Sequence, residues 1–245
     1  LVTGAVAVAL GLTAACGGND SPDSNETTGK SGYNAAMSGV VNPSDAKGGT
    51  LNLWSSQDAD SWDPVRGYYA FVWNLNRLYT RTLVAYDAKQ GPDGLKVVPD
   101  LAASEPEITD DGKTYKFTLK DGVKFEDGTA ITSKDIKYGI ERVFAQDVVP
   151  GGPVYLMQVL DQGQKYPGPY KDTDPNKLGL KTVETPDDKT IIFKLDKANA
   201  DFQYLLAMPG AGPVPAAQDK GAQYGAKPVS SGPYKFESYE PGKKV

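Results

Sequence analysis

Residues 98–144, VPDLAASEPEITDDGKTYKFTLKDGVKFEDGTAITSKDIKYGIERVF, constrain this chain more tightly than any other stretch. A short helical or turn piece at Leu101 to Ala103 comes first. Tyr115, Phe117 and Leu119 then alternate with Lys116, Thr118 and Lys120, the period-two pattern of a strand with one buried and one solvated face. Asp111-Gly112 and Asp121-Gly122 bracket that strand, and Asp127-Gly128 follows the short strand-like run Val123 to Phe125. Asp-Gly pairs supply the positive φ that tight turns need, so the chain reverses repeatedly here. Thr132 stands three residues before Asp135, at capping-box spacing. Ile136, Ile140, Val143 and Phe144 share one face of the helix that follows.

Asp111 to Ile136 also carry a motif: Asp-Gly, aromatic-x-aromatic-x-Leu-Lys, Gly-Val-Lys-Phe-x-Asp-Gly-Thr, then Thr-x-x-Asp-Ile. It resembles the signature of the extracellular solute-binding proteins of family 5, the oligopeptide, dipeptide and nickel-type receptors of ABC importers. Members often carry His where this chain has Glu126, so no role tied to that imidazole transfers. The resemblance implies an α/β, periplasmic-binding-protein-like, two-lobe architecture (type II, cluster C). Because family members are longer, only the first lobe and its extra subdomain are expected here, with the second lobe missing. The expected division is an incomplete signal peptide with lipobox over 1–16, a flexible tether over 17–47 and the opening of the first lobe over 48–72. The extra subdomain over 73–177 and the continuation of the first lobe over 178–245 complete it.

Leu1 to Ala15 are small and apolar, long enough for the hydrophobic region of a signal peptide but short for a bilayer span. Thr13-Ala14-Ala15-Cys16 resembles a bacterial lipobox, which makes Cys16 the expected lipid anchor. Gly, Ser, Asn, Asp and Thr then dominate without apolar periodicity, the composition of a tether.

Gly48 to Trp54 read as the opening strand, with Leu51 and Leu53 on one face. The polar loop Ser55 to Pro64 resembles the family's aspartate-x-leucine-aspartate-proline loop, with Trp62 in place of leucine. The resemblance places that loop near the ligand cleft. Gln57, Asp58, Trp62, Tyr68 and Tyr69 are therefore the expected ligand contacts. Phe71, Leu75, Leu78, Tyr79 and Thr82 mark a helical face, and Leu83 to Tyr86 an edge strand. Further along, Val154 to Leu160 suit a short helix, and Leu180–Glu184 with Thr190–Leu195 flank a hairpin turn at Pro186-Asp187-Asp188. A short helix around Phe202 to Ala207 follows. Val229 to Phe236, VSSGPYKF, resemble the family's threonine-glycine-proline-tyrosine strand opening.

Among these 245 residues, the single cysteine and absence of histidine exclude an internal disulfide, Cys/His zinc sites and His-dependent triads. A formal charge of −5 without a Lys/Arg-rich block argues against a nucleic-acid footprint. Asp172, Asp174 and Asn176 have the spacing that opens a calcium loop, but Lys177 and Val183 occupy the positions of its glycine and bidentate glutamate. No metal or cofactor is expected.

The expected function is capture of a peptide or similar small solute outside the cytoplasmic membrane. A lipid-anchored monomer would deliver it to ABC permease and ATPase subunits. Two other classes stay open: a carboxylate-dependent glycan-active enzyme, since glycoside hydrolysis needs only two placed carboxylates, and a non-transport surface lipoprotein binding a partner or cell-wall polymer.

Overall fold

The structure, a computed structural model, describes residues 44–245. The signal peptide, the Cys16 anchor and residues 17–43 of the tether lie outside the described residues. Residues 46–245 form one unit.

Helix α1 spans Ala70–Tyr79, and β1 (Val84–Tyr86) pairs antiparallel with β2 (Val97–Pro99). A four-stranded antiparallel sheet combines β3 (Glu107–Thr109), β4 (Thr114–Thr118), β5 (Val183–Glu184) and β6 (Thr190–Lys194) in the order β3-β4-β6-β5. Helices α2 (Ser133–Arg142), α3 (Tyr155–Leu160) and α4 (Phe202–Leu206) complete the regular elements used below.

The alternation around Tyr115 has its predicted result. Tyr115, Phe117 and Leu119 are buried while Lys116, Thr118 and Lys120 face solvent. Tyr115 lies opposite Phe193 and Phe117 opposite Ile191, so β4 and β6 present one apolar face. Phe193 meets Phe117 and Phe202 edge-on, at ring centroid distances of 6.0 and 5.3 Å. Such geometry aims positive ring edges at negative ring faces. Gly112, Gly122 and Gly128 all have positive φ, as the turns require.

Helix α2 starts where its cap predicts, with the Thr132 N–H donating to Asp135 Oδ2 at 2.8 Å. Its Ile136, Ile140 and Val143 join the core beneath the sheet. The opposite face is buried too, through Tyr138, Glu141 and Arg142. Between the two faces, Gly139 lets the helix close onto the bend at Gly212: a Cβ there would stand 2.0 Å from the Gly212 carbonyl oxygen. Val214 N–H donates to Asp135 O at 3.0 Å along the same contact.

Several expectations are corrected. The opening strand at Leu51 to Leu53 does not form; Leu51 and Leu53 are exposed and Trp54 is 95% exposed. A strand requires a ladder partner, and none of the described residues pairs with 48–54. Val229 to Phe236 form no strand either. Ser231 and Gly232 instead donate to Tyr79 O at the end of α1, and a Cβ at Gly232 would sit 2.5 Å from Leu78 O. Val123 to Phe125 form only an isolated bridge, Lys124 with Ala130. On α1 the buried positions are Val72, Asn76 and Tyr79, while Leu78 is exposed and Thr82 lies beyond the helix. The division expected at residue 177 passes through the four-stranded sheet, because β6 pairs with β4 across it.

Alanine normally stabilises a helix interior relative to glycine by about 1 kcal/mol. At Gly139 the sign is expected to reverse, because the new methyl meets backbone. Urea unfolding of Gly139→Ala is predicted to show a loss of about 1–3 kcal/mol, with unchanged or improved stability as the contrary result.

Candidate functional site at the opening loop

Asp60-Ser61-Trp62-Asp63-Pro64 organise the loop that leads into α1. Asp60 Oδ2 accepts from Tyr68 N at 2.6 Å, and Ser61 Oγ accepts from Asp63 N at 3.1 Å. The Asp63 carbonyl accepts from both Arg66 N and Gly67 N at 2.9 Å, closing a tight turn. Asp63 Oδ1 accepts in addition from Val65 N at 3.1 Å.

The Asp63 side chain is fully buried and faces Arg142 of α2. Arg142 Nη1 donates to Oδ1 at 2.9 Å and Nη2 to Oδ2 at 2.7 Å, a two-pronged pairing. Arg142 Nε reaches Asp219 Oδ2 at 3.1 Å and the Tyr170 hydroxyl at 3.0 Å. The guanidinium also lies 4.7 Å from the Tyr224 ring centroid. Burial works against its charge, but the Asp63 and Asp219 carboxylates outweigh that and hold its pKa above the ordinary arginine value. Asp219 Oδ2 accepts from the Tyr138 and Tyr170 hydroxyls at 2.9 and 2.7 Å. Both phenols are raised above their ordinary range, chiefly by burial. One guanidinium thus ties together the opening loop, α2 and the segment that carries Asp219 and Tyr224.

Beside this anchor lies a cleft of about 320 Å³, lined among others by Asp60, Trp62, Arg66, Gln223 and Tyr239. Arg66 Nε donates to Pro150 O at 3.1 Å and Nη1 to Ala222 O at 3.3 Å, closing one side. The Tyr239 ring stands edge-on to Trp62 at 6.0 Å. The Trp62 indole N–H is turned towards the Tyr239 hydroxyl, with no hydrogen bond of normal geometry among the described residues. Two aromatic rings, three alanines and a few polar side chains line it, a mix that suits an organic solute.

The five expected contacts separate in space. Trp62 lines the cleft yet is only 5% exposed, packed with Val72, Tyr79 and Phe236. Its carbonyl accepts from the Tyr79 hydroxyl at 2.6 Å. Asp58 adjoins the cleft through Tyr239, whose hydroxyl it accepts at 3.2 Å, and its Oδ2 also takes Gly242 N–H at 2.6 Å. Gln57 is exposed and bonded only locally, its carbonyl accepting from Ser55 Oγ at 2.7 Å. Tyr68, 48% exposed, pairs its hydroxyl with that of Tyr155 at 2.6 Å and packs edge-on to Trp73. Tyr69, 44% exposed, stacks loosely on Phe71.

Asp63 and Arg142 escaped the sequence reading. An aspartate before proline in a polar loop and an arginine late in a helix look like surface residues. The available signal was Tyr138 and Arg142 at i, i+4, opposite the Ile136–Ile140 face. Glu126, at the position where histidine is common, accepts from Ser230 N at 3.0 Å while its own N–H donates to Ser230 O at 2.9 Å. It fastens the 229–236 segment to the signature stretch.

Residues 96–245 match the family described as "Bacterial extracellular solute-binding proteins, family 5 Middle". The chain belongs to that family. It is 49% identical to the solved structure of "Clavulanic acid biosynthesis oligopeptide binding protein 2", covering 88% of this chain and 38% of that one with a TM-score of 0.81. A "Probable D,D-dipeptide-binding periplasmic protein" of Escherichia coli (strain K12) is 27% identical over 80% of this chain and 34% of its own length. "Di/tripeptide-binding protein 1" of Pseudomonas aeruginosa (strain UCBPP-PA14) is 31% identical over 60% of this chain and 28% of its own length. The chain spans about a third of the length of the curated relatives it matches. The shared fold is the mixed α/β, type II periplasmic-binding architecture expected from the signature.

Trp62 and Tyr69 predict opposite outcomes. Trp62→Ala is expected to cost about 3–5 kcal/mol in urea unfolding of the full-length protein, as for a buried aromatic. Tyr69→Ala is expected to stay within about 0.5 kcal/mol. A large loss at Tyr69, or none at Trp62, would contradict these placements.

Proposed function

We propose that this chain forms part of the substrate-binding component of an ABC importer that captures peptides outside the cytoplasmic membrane. The observation that carries this reading is the likeness, at 49% identity and a TM-score of 0.81, to a structure named as an oligopeptide binding protein. The curated relatives named for dipeptides and tripeptides support it. The opening-loop cleft supports it as well: it offers aromatic surface with the Asp60 carboxylate beside it, suited to an extended chain with a terminal ammonium. Gln57, Asp58, Trp62, Tyr68 and Tyr69 are the residues proposed to meet ligand. Trp62 contributes a ring edge from the cleft wall.

Binding would shift an open-to-closed equilibrium, since a solute that touches both lobes does so only in the closed form. Permease and ATPase subunits would receive the solute and supply the energy. The chain would act as a monomer and perform no covalent chemistry. Cys16 would carry the lipid that holds the protein at the membrane's outer face.

Native mass spectrometry of the full-length protein purified from its own host tests the central reading. Retained short-peptide masses are expected; a single non-peptide mass, or no ligand together with no response to a peptide library, would overturn it. Lipidation is tested separately: Cys16→Ser is expected to release the protein from membranes and abolish its diacylglycerol mass increment. An unchanged membrane fraction and mass would contradict the anchor.

A further inference from the structure

The larger concavity lies elsewhere. It measures about 1000 Å³ and shares no lining residue with the opening-loop cleft. Lys137 of α2, Lys181 and the 171–174 loop line it, with Pro167, Leu178 and Pro186 as apolar wall.

Lys137 is buried, and the one carboxylate oxygen within 4 Å of its ammonium among the described residues is Glu141 Oε1, at 3.8 Å. That oxygen is already taken by the Leu180 N–H at 2.9 Å. Glu141 is fully buried, and its Oε2 has no hydrogen-bond partner of normal geometry among the described residues. The Tyr166 hydroxyl, which interacts with Glu141, donates to Asp172 Oδ2 at 2.7 Å. A buried ammonium without a close partner is costly, and this one borders open space.

The carboxylates around the concavity are hydrogen-bonded or paired. Asp172 accepts from Asp174 N and Gly179 N at 2.8 and 2.7 Å besides Tyr166. Asp174 Oδ1 accepts from Asn176 N and Leu178 N. Glu184 pairs with Lys194, and Lys171 with Asp147. Lys181 makes no side-chain ion pair among the described residues; only its backbone N–H is used, towards Gln164 Oε1. Lys137 and Lys181 are therefore the lining cations without a close carboxylate partner among the described residues.

We propose that this concavity is a second ligand site, which seats the carboxylate of a small organic anion on the Lys137 ammonium, with Lys181 at the edge and the apolar wall against the ligand's body. The inference is independent of peptide capture at the opening loop. Its carboxylate could belong to a free organic acid or to a peptide C-terminus.

The carboxylates that face Lys137 are Glu141 on α2, Asp172 and Asp174 on the loop, and Glu184 on β5; the pH dependence of affinity comes from Glu141 and from Lys137 itself. Burial pushes the Glu141 carboxyl up to about 8. Below that pH it is neutral and does not compete with an incoming anion; above it, its charge opposes binding. Burial lowers the Lys137 pKa, so its charge also weakens as pH rises. Both effects have the same sign.

Calorimetric titration of the full-length protein with sodium hexanoate and with hexanamide tests the site. Saturable binding of hexanoate but not of the amide is expected. Lys137→Met should weaken hexanoate at least about tenfold, the loss of a charge-assisted hydrogen bond, and Lys181→Met about threefold, as for an edge charge. In Glu141→Gln the fall in affinity on raising the pH from about 6 to about 9 should be smaller than in the parent protein. The lysine and amide comparisons remain decisive should any one variant not fold. Displacement of hexanoate by an acetylated dipeptide acid, in the parent but not in Lys137→Met, assigns the site to peptide C-termini; absence of displacement assigns it to free acids. No saturable hexanoate binding, equal affinity in Lys137→Met, or equal binding of hexanamide would overturn the proposal.

Discussion

The two-pronged contact between Arg142 and Asp63 is the interaction on which the placement of the opening loop depends. Both side chains are fully buried. A buried ion pair adds little net stability over a well-packed apolar substitute, because desolvation offsets the attraction. What it supplies is position. The loop's tight turn hangs from the Asp63 carbonyl while its carboxylate is held by α2, and α2 is fixed by Ile136 and Ile140 against the sheet. Asp219 and the Tyr224 ring close on the same guanidinium from the other side. The cleft walls, one from residues 59–66 and the other from 222–226, thus share a single anchor.

Local patterns made the sheet and helices legible. Tyr115, Phe117, Ile191 and Phe193 alternate in sequence and pair in space. The Thr132–Asp135 box marks the start of α2, and the Pro186-Asp187-Asp188 turn joins β5 to β6. These are contacts between near neighbours or between strands with one apolar face, and periodicity reports them directly. The opening strand was misread because alternation at Leu51 and Leu53 gives a face without giving a partner. Val229 to Phe236 were misread for another reason: their backbone donors go to the end of α1, where Ser231 and Gly232 meet Tyr79 O. Nothing in the local pattern names that acceptor.

The site was legible only in part. The motif resemblance drew attention to residues 55–69, and Trp62 does line the cleft. Composition gave no sign that Asp63, Glu141, Arg142 and Lys137 would be buried, since charged residues in loops and helices usually face water. Helix α2 is the exception because both faces are covered: Lys137 and Glu141 turn towards the 164–184 region, Tyr138 and Arg142 towards Asp219. Two polar clusters one residue apart on one helix therefore serve different parts of the molecule.

Arg142 holds the opening loop to α2. A double-mutant cycle in the full-length protein, using Arg142→Met, Asp63→Leu and the pair, measures that coupling by urea unfolding. Arg142→Met is predicted to cost about 3–5 kcal/mol, because it strands the buried Asp63 carboxylate, and Asp63→Leu about 1.5–3 kcal/mol, because Asp219 still pairs the guanidinium. The double variant is predicted to cost at least about 1.5 kcal/mol less than the sum. Additive losses would mean that the two residues stabilise the fold independently, and would contradict the account.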